Sequence, residues 1–242
     1  MATRLFHVSD LHFGRADQQA LDWFAGLVRS ERPDAVICTG DLTMRARREE
    51  YAAAAAWLAA LDVPVTVEPG NHDLPLYNLP ARLFAPYRRY RKVERAVERP
   101  LDVKGLWLVP LKTTRRFQFR NWSHGAVSRS GLRVALDLLA RCPAGRLPIV
   151  ACHHPLIRTN FEGHGDTDGG AEALKALAEA GAVAILSGHV HDAFDVPWSG
   201  TGRTVRLIGA GTLSERLRST PPSFNELRID DGALEVTPRV LG

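Results

Sequence analysis

Arg4-Leu5-Phe6-His7-Val8-Ser9-Asp10-Leu11-His12-Phe13-Gly14 begins as an apolar run and stops at an aspartate and a histidine two positions apart. The run reads as a buried strand, and on an extended chain residues two apart project to the same side. A carboxylate and an imidazole facing one way off a strand end suit a divalent metal. Taken alone, Asp-x-His is also what a surface turn looks like, because short motifs recur by chance. Repetition separates the two readings: four more strand-like runs down the chain end in Asp, Asn or His.

Outward from that stretch, Gln18 to Glu31 has apolar residues at Ala20, Leu21, Phe24, Leu27 and Val28, with Pro33 just beyond. That spacing predicts a helix and its stop. Ala35-Val36-Ile37-Cys38 reads as a second buried strand, ending in Thr39-Gly40-Asp41-Leu42. Glu49 to Leu61, rich in alanine, is a second helix, and Pro64-Val65-Thr66-Val67 is a third strand ending in Gly70-Asn71-His72-Asp73. The order βαβαβ predicts a parallel sheet with right-handed crossovers, its chemistry at the carboxyl ends of the strands. Gly40 and Gly70 precede the polar residue each time, as a tight turn or a close approach to a ligand requires.

Further along, Leu74 to Ser128 is the least regular stretch, with Pro75, Pro80, Pro86 and Pro100. Within it, Arg82 to Arg99 holds seven basic residues against two acidic ones. This reads as the solvated face of a helix or as a phosphate-binding surface. Phe84, Tyr87 and Tyr90, three apart, look like one packed helical stripe rather than a stacking platform for nucleic acid. Leu106 to Val109 is a strand, and Phe117 to Ser128, without a period, is a loop over one sheet edge. Ser130 to Arg141 is helical, and Leu147 to Ala151 is a strand ending in Cys152-His153-His154-Pro155. Gly169 to Ala180 is helical, and Val183 to Leu186 is a strand ending in Ser187-Gly188-His189-Val190-His191-Asp192. From Phe194 onward, four short alternating runs separated by turn residues predict an antiparallel meander.

The 242 residues, 45% hydrophobic, are enough for one large core, and a single domain over 1–242 is the simplest reading. No window approaches eighteen uninterrupted apolar residues, so no transmembrane segment is expected. The first strand begins without a charged, apolar and small-residue leader, and Cys38, Cys142 and Cys152 are odd in number and far apart. Both features predict a cytoplasmic protein with reduced thiols. The net charge of +4 favours acidic solutes without bearing on the fold.

Collected, the candidate ligands are Asp10, His12, Asp41, Asn71, His153, His189 and His191, with His72 beside Asn71. Oxygen and imidazole donors without thiolate suit Mn, Fe or Zn, not a structural cysteine-rich zinc site. Seven donors exceed one tetrahedral ion and match two ions sharing a carboxylate, about 3.5–4 Å apart.

The ordered set D-x-H, G-D, G-N-H-D, H-x-P and G-H-x-H, from Asp10 to His191, resembles the calcineurin-like metallophosphoesterase superfamily, and most closely its small bacterial phosphodiesterases. The resemblance implies an α/β fold, a two-sheet αββα sandwich of mixed strands flanked by helices. It implies that Asp10, His12, Asp41 and His191 hold one ion and that Asp41, Asn71, His153 and His189 hold the other, the pair being divalent or mixed-valence. His153 rather than His154 is the ligand by that pattern; periodicity alone leaves both open. By the same carry-over His72 protonates the leaving oxygen or stabilises phosphoryl charge, while a metal-bridging hydroxide attacks phosphorus. A small phosphate diester of the cyclic-nucleotide or glycerophosphodiester type is the expected substrate. Monoesters, lipid-linked pyrophosphates and nucleic acids are the alternatives on the same metal core, and an inactive protein-interaction scaffold is the non-enzyme one. His72 stands where the lipid A precursor enzymes typically carry Arg, and only about fifty residues follow His191, which weakens the pyrophosphatase and nuclease readings. Arg15 after the first motif and His164 in a glycine-flanked loop are candidate substrate contacts, each also readable as a surface residue. His7 reads as a sheet histidine, His124 as a loop residue, and Asp73 as a support for His72 or its loop.

Overall fold

The computed structural model describes residues 2–99, 101–116, 122–158 and 167–242. In chain order the first half runs β1 (Thr3–Val8), α1 (Gln18–Glu31), β2 (Ala35–Cys38), α2 (Arg48–Ala59), β3 (Val65–Val67), α3 (Leu79–Phe84), α4 (Tyr90–Val97) and β4 (Leu106–Pro110). The second half runs β5 (Gly125–Ala126), α5 (Arg129–Leu139), β6 (Leu147–Ala151), β7 (Thr167–Asp168), α6 (Gly170–Glu179), β8 (Ala184–Ser187), β9 (Phe194–Ser199), β10 (Thr204–Gly209), β11 (Ser223–Asp230) and β12 (Ala233–Val240).

The first helix shows how the local sequence acts. Asp17 accepts from the Ala20 N–H at the amino end, and Ala20, Leu21, Phe24, Ala25 and Val28 form the buried face. Phe24 meets Phe6 edge-on at 6.0 Å, so α1 lies on the outer face of the strand it follows.

Two five-stranded sheets result, ordered β12-β11-β1-β2-β3 and β4-β6-β8-β10-β9. The expected parallel run β1, β2, β3 is present. Leu5, Ile37, Leu227 and Ile229 of one sheet pack against Leu106, Ile149, Leu186 and Ile208 of the other. A second core lies between the first sheet and α1, α2 and α4, and a third lies over the second sheet beneath α5 and α6. The layers are therefore helix, sheet, sheet, helix, the αββα sandwich.

Three expectations require correction. The last four strands are not one meander: β9 and β10 form a hairpin in the second sheet, while β11 and β12 form one in the first. Alternation marks a half-buried strand but does not say which neighbour it pairs with. The basic stretch is not one helix. Ala85, before Pro86, adopts φ −148° and ψ 52°, so α3 ends there and α4 starts at Tyr90. Phe84 is consequently 85% exposed while Tyr90 is buried, and the stripe does not form. Nor is Arg82 solvated. It is buried, its guanidinium donating to the carbonyls of Arg116, Pro75 and Arg115 and lying 4.3 Å from the Trp122 ring. Finally, of the loop expected at Phe117 to Ser128, residues 117–121 lie outside the described residues, and Gly125–Ala126 is a short strand paired with Thr167–Asp168.

Just past β3, burial and the neighbouring Glu98 push the Glu68 carboxyl from 4.5 up to about 8. The folded state then holds a proton that the unfolded chain releases at its ordinary value. The stabilisation from this neutral acid is complete at low pH and is lost as pH rises through 8. Glu68→Gln, which mimics the neutral acid, should match the parent at pH 5 and exceed it by on the order of 3 kcal/mol at pH 9 in urea denaturation. An equal stability difference at both pH values would show that Glu68 is ionised throughout.

Candidate metal centre

Loops after β1, β2, β3, β6, β8 and β10 meet at the carboxyl ends of both sheets. The loops after β1 and β2 run side by side: Asp10 N–H donates to Gly40 O, His12 N–H to Asp41 O and Phe13 N–H to Leu42 O. This brings Asp10 and His12 to Asp41. The reason differs from strand alternation, because Asp10 and His12 lie past the strand with φ of 55° and 45°. Asp41, His189 and His191 are also left-handed, so five of the nine such non-glycine residues described are candidate ligands. Left-handed backbone costs free energy for these residue types and concentrates where a site imposes it.

Asp10, His12, Asp41, His153 and His191 are all buried. His191 Nε2 lies 3.1 Å from Asp10 Oδ1 and 3.2 Å from His12 Nε2. His12 Nε2 is 3.7 Å from Asp41 Oδ2, and His153 Nε2 is 3.4 Å from that same oxygen and 3.2 Å from Asn71 Oδ1. The ring of His189 is 5.3 Å from that of His153, and His189 N–H donates to Asp10 Oδ2. All seven candidate ligands are thus brought together.

The far side of each ring sets its proton. His153 Nδ1 donates to Thr39 O at 2.7 Å and His191 Nδ1 to Arg216 O at 2.5 Å. That leaves both Nε2 lone pairs aimed at carboxylate oxygens, an arrangement that repels unless a cation or proton lies between. Asp10 Oδ1, wholly buried, takes no hydrogen bond among the described residues. Against the cost of burial, His191, His12 and His153 hold the Asp10 carboxyl well below the usual range. Burial disfavours a charged His153, yet the Asp41 carboxylate raises it to about 9, while burial takes His189 down to about 3. Buried carboxylates facing imidazole lone pairs fit transition-metal ions. The groupings Asp10–His12–His191 and Asp10–Asp41–His153 each offer donor atoms within 4.8 Å of one another.

The neighbours divide by role. His154 belongs to a third such grouping with His153 and His189, but its Nδ1 is turned to Thr113 Oγ1 at 2.9 Å. His72 Nδ1 donates to Met44 O, its backbone N–H donates to Asp41 Oδ1 at 2.8 Å, and its ring stands edge-on to His12 at 4.8 Å. Asp73 accepts from the N–H groups of Leu42, Thr43 and Gly70, fastening the loops after β2 and β3 together. His7 is buried in the sheet with Nε2 on Thr39 Oγ1. Arg15 is exposed and paired with Glu215 at 3.3 Å, and His164 lies outside the described residues.

Sequence reading missed Arg216. Its Nη1 is 2.9 Å from His72 Nε2 and 3.4 Å from His12 Nε2. Asp192 holds its loop by accepting from Ser219 and Thr220, and Thr212 Oγ1 donates to Asp10 O. The available signal was Gly209-Ala210-Gly211-Thr212, small residues ending another apolar strand, as at the other ligand loops.

Two stacked mixed sheets carrying an oxygen-and-imidazole centre at their strand ends define an α/β protein built to hold metal. The model of the calcineurin-like phosphoesterases matches residues 3–193, and the chain belongs to that family. It is 29% identical over 177 residues to the "Probable glycerophosphodiester phosphodiesterase GpdQ" of Arcobacter nitrofigilis, covering 69% of this chain and 60% of that one. It is 41% identical over 81 residues to the glycerophosphodiester phosphodiesterase GpdQ of Enterobacter lignolyticus, 28% of this chain and 29% of that one. The chain therefore spans less than two-thirds of either curated relative. Among solved structures it is similar to a dimetal phosphatase from Danio rerio, with TM-score 0.70, 14% identity and coverage of 98% and 96% of the two chains.

Proposed function

We propose that the chain is a metal-dependent phosphodiesterase acting on small diesters of the glycerophosphodiester or cyclic-nucleotide type. One observation carries the reading: seven oxygen and imidazole ligands from five separate loops converge, with lone pairs facing one another around buried Asp10 and Asp41. Asp10, His12, Asp41 and His191 would hold one ion, and Asp41, Asn71, His153 and His189 the other, with Mn, Fe or Zn suited to these donors. When bound, such ions supply a water-derived nucleophile at neutral pH and neutralise the phosphoryl oxygens.

The remaining steps belong to the chain. Thr39 O and Arg216 O fix the tautomers of His153 and His191 so that both present Nε2. Met44 O does the same for His72, whose Nε2 faces the open side where Arg216 stands. In this pose Nε2 accepts from Arg216 Nη1, so once Arg216 turns to the substrate and Nε2 takes up a proton from solvent, His72 delivers that proton to the leaving oxygen. Arg15 and His164 are the further substrate contacts in this reading. The whole span 1–242 acts as one domain, and β11 pairing with β1, with β12 added outside β11, supports that. Free Cys38, Cys142 and Cys152 support a reducing, cytoplasmic setting, and no helix among the described residues is long and apolar enough to cross a membrane.

The test is metal reconstitution followed by assay of bis-p-nitrophenyl phosphate against p-nitrophenyl phosphate. The diester should be cleaved at least tenfold faster, and a chelator should abolish both rates. Preference for the monoester would reverse the assignment.

A further inference from the structure

Beside the metal centre lies a cleft of about 350 Å³ whose wall holds four arginines, Arg15, Arg45, Arg47 and Arg216, and one acid, Glu50. The cleft adjoins the centre through two of its lining residues. Arg216 touches His72 and His12, and Met44, which also lines the cleft, accepts from His72 Nδ1. Glu50 is anchored by its Oε2 accepting from the backbone N–H groups of Arg45 at 2.8 Å and Arg47 at 3.2 Å, so it offsets one positive charge of the cleft without pairing to a single arginine side chain. Arg15 is partly offset by Glu215. Among the described residues no carboxylate stands at ion-pair distance from the side chains of Arg45, Arg47 or Arg216. The Arg45 guanidinium instead lies 6.0 Å from the ring of the exposed Tyr77.

Guanidinium groups that outnumber their carboxylates, here four against Glu50 and Glu215, repel one another until an anion joins them, and their planar forks match phosphate and carboxylate oxygens. A phosphodiester carries one negative charge, which the metal centre itself attracts. The cleft thus holds more cationic charge than the scissile group needs, in a volume suited to a small headgroup rather than a polymer.

We propose that the Arg15–Arg45–Arg47–Arg216 cleft binds a second anionic group of the substrate, a phosphate monoester or a carboxylate, next to the diester attacked at the metal centre. The inference rests on the phosphodiesterase reading and narrows its substrates to those with an anionic arm.

Three glycerophosphodiesters test it: glycerophosphocholine has a cationic arm, glycerophosphoglycerol a neutral one, and glycerophosphoinositol 4-phosphate an extra phosphate. For the metal-loaded protein, kcat/KM should rise in that order, by at least tenfold from first to last. Arg45 and Arg47 are exposed, so the double variant Arg45→Glu/Arg47→Glu should fold, and it should invert the order. Calorimetric binding of glycerophosphoinositol 4-phosphate to metal-free protein should weaken at least tenfold in that variant. A flat or reversed order in the parent, with bis-p-nitrophenyl phosphate still cleaved, would overturn this inference and leave the phosphodiesterase reading intact. Loss of all diester cleavage would overturn that reading, and the binding experiment would still decide the cleft: unchanged affinity in the variant removes it as an anion site.

Discussion

Asp41→Asn is expected to lower kcat on a diester by about 10³-fold or more and to reduce bound metal, with the fold retained. Asp41 is buried with one oxygen 3.4 Å from His153 Nε2 and 3.7 Å from His12 Nε2, so it is the carboxylate placed between the two halves of the centre. Its other oxygen accepts the His72 N–H at 2.8 Å. An asparagine fails in both orientations. With its NH₂ toward His72 it sets donor against donor, and with its NH₂ inward it presents protons where a cation belongs. Either way the negative charge that raises His153 is gone. No other single ligand change should cost as much, and activity equal to the parent would remove Asp41 from the bridging position.

Gly70→Ala should be as damaging by a purely steric route. A Cβ at Gly70 would lie 2.0 Å from Asp41 Oδ1 and 2.3 Å from Asp41 N, closer than real contacts allow. The backbone there has φ −95°, which alanine adopts freely, so no conformational penalty confuses the result. To admit the methyl group, Asp41 or the loop after β3 must move, and Gly70 N–H would lose its bond to Asp73 Oδ2. The expected outcome is a loss of roughly 3 kcal/mol or more in urea denaturation together with impaired metal uptake. Gly26→Ala is the contrast, because nothing lies within 4 Å of a Cβ there and the residue is inside α1. It should be neutral or stabilising by about 0.5–1 kcal/mol. A Gly70→Ala protein with parental stability and metal content would mean the loops after β2 and β3 are not packed as described.

What the sequence disclosed follows the range of each physical cause. Gln18 to Glu31 was legible to the residue because its apolar period and Pro33 after it act within one helix, which Asp17 caps in the structure. The gathering of the candidate ligands was legible because each follows a strand, and parallel strands carry their ends to one edge; the choice of His153 over His154 came from the family pattern alone. The way Asp10 and His12 converge was not, since left-handed backbone at non-glycine residues is imposed by partners thirty positions away, such as Gly40 O and Asp41 O. Division of the last four strands between two sheets depends on pairing, which alternation does not encode. Arg82 looked solvated because a basic run hides the one member whose carbonyl partners come from residues 115 and 116. Arg216 meets His12 across 204 positions and sits in no metal-ligand motif, so the strand end at Gly209-Ala210-Gly211-Thr212 signals its loop but not its contact.

The most direct test of the central claim is metal stoichiometry, measured by elemental analysis and native mass spectrometry after reconstitution with Mn, Fe or Zn. Two ions per chain in the parent, and fewer in Asp41→Asn, is the predicted result. A folded parent that binds no transition ion under any of these loadings would contradict the account.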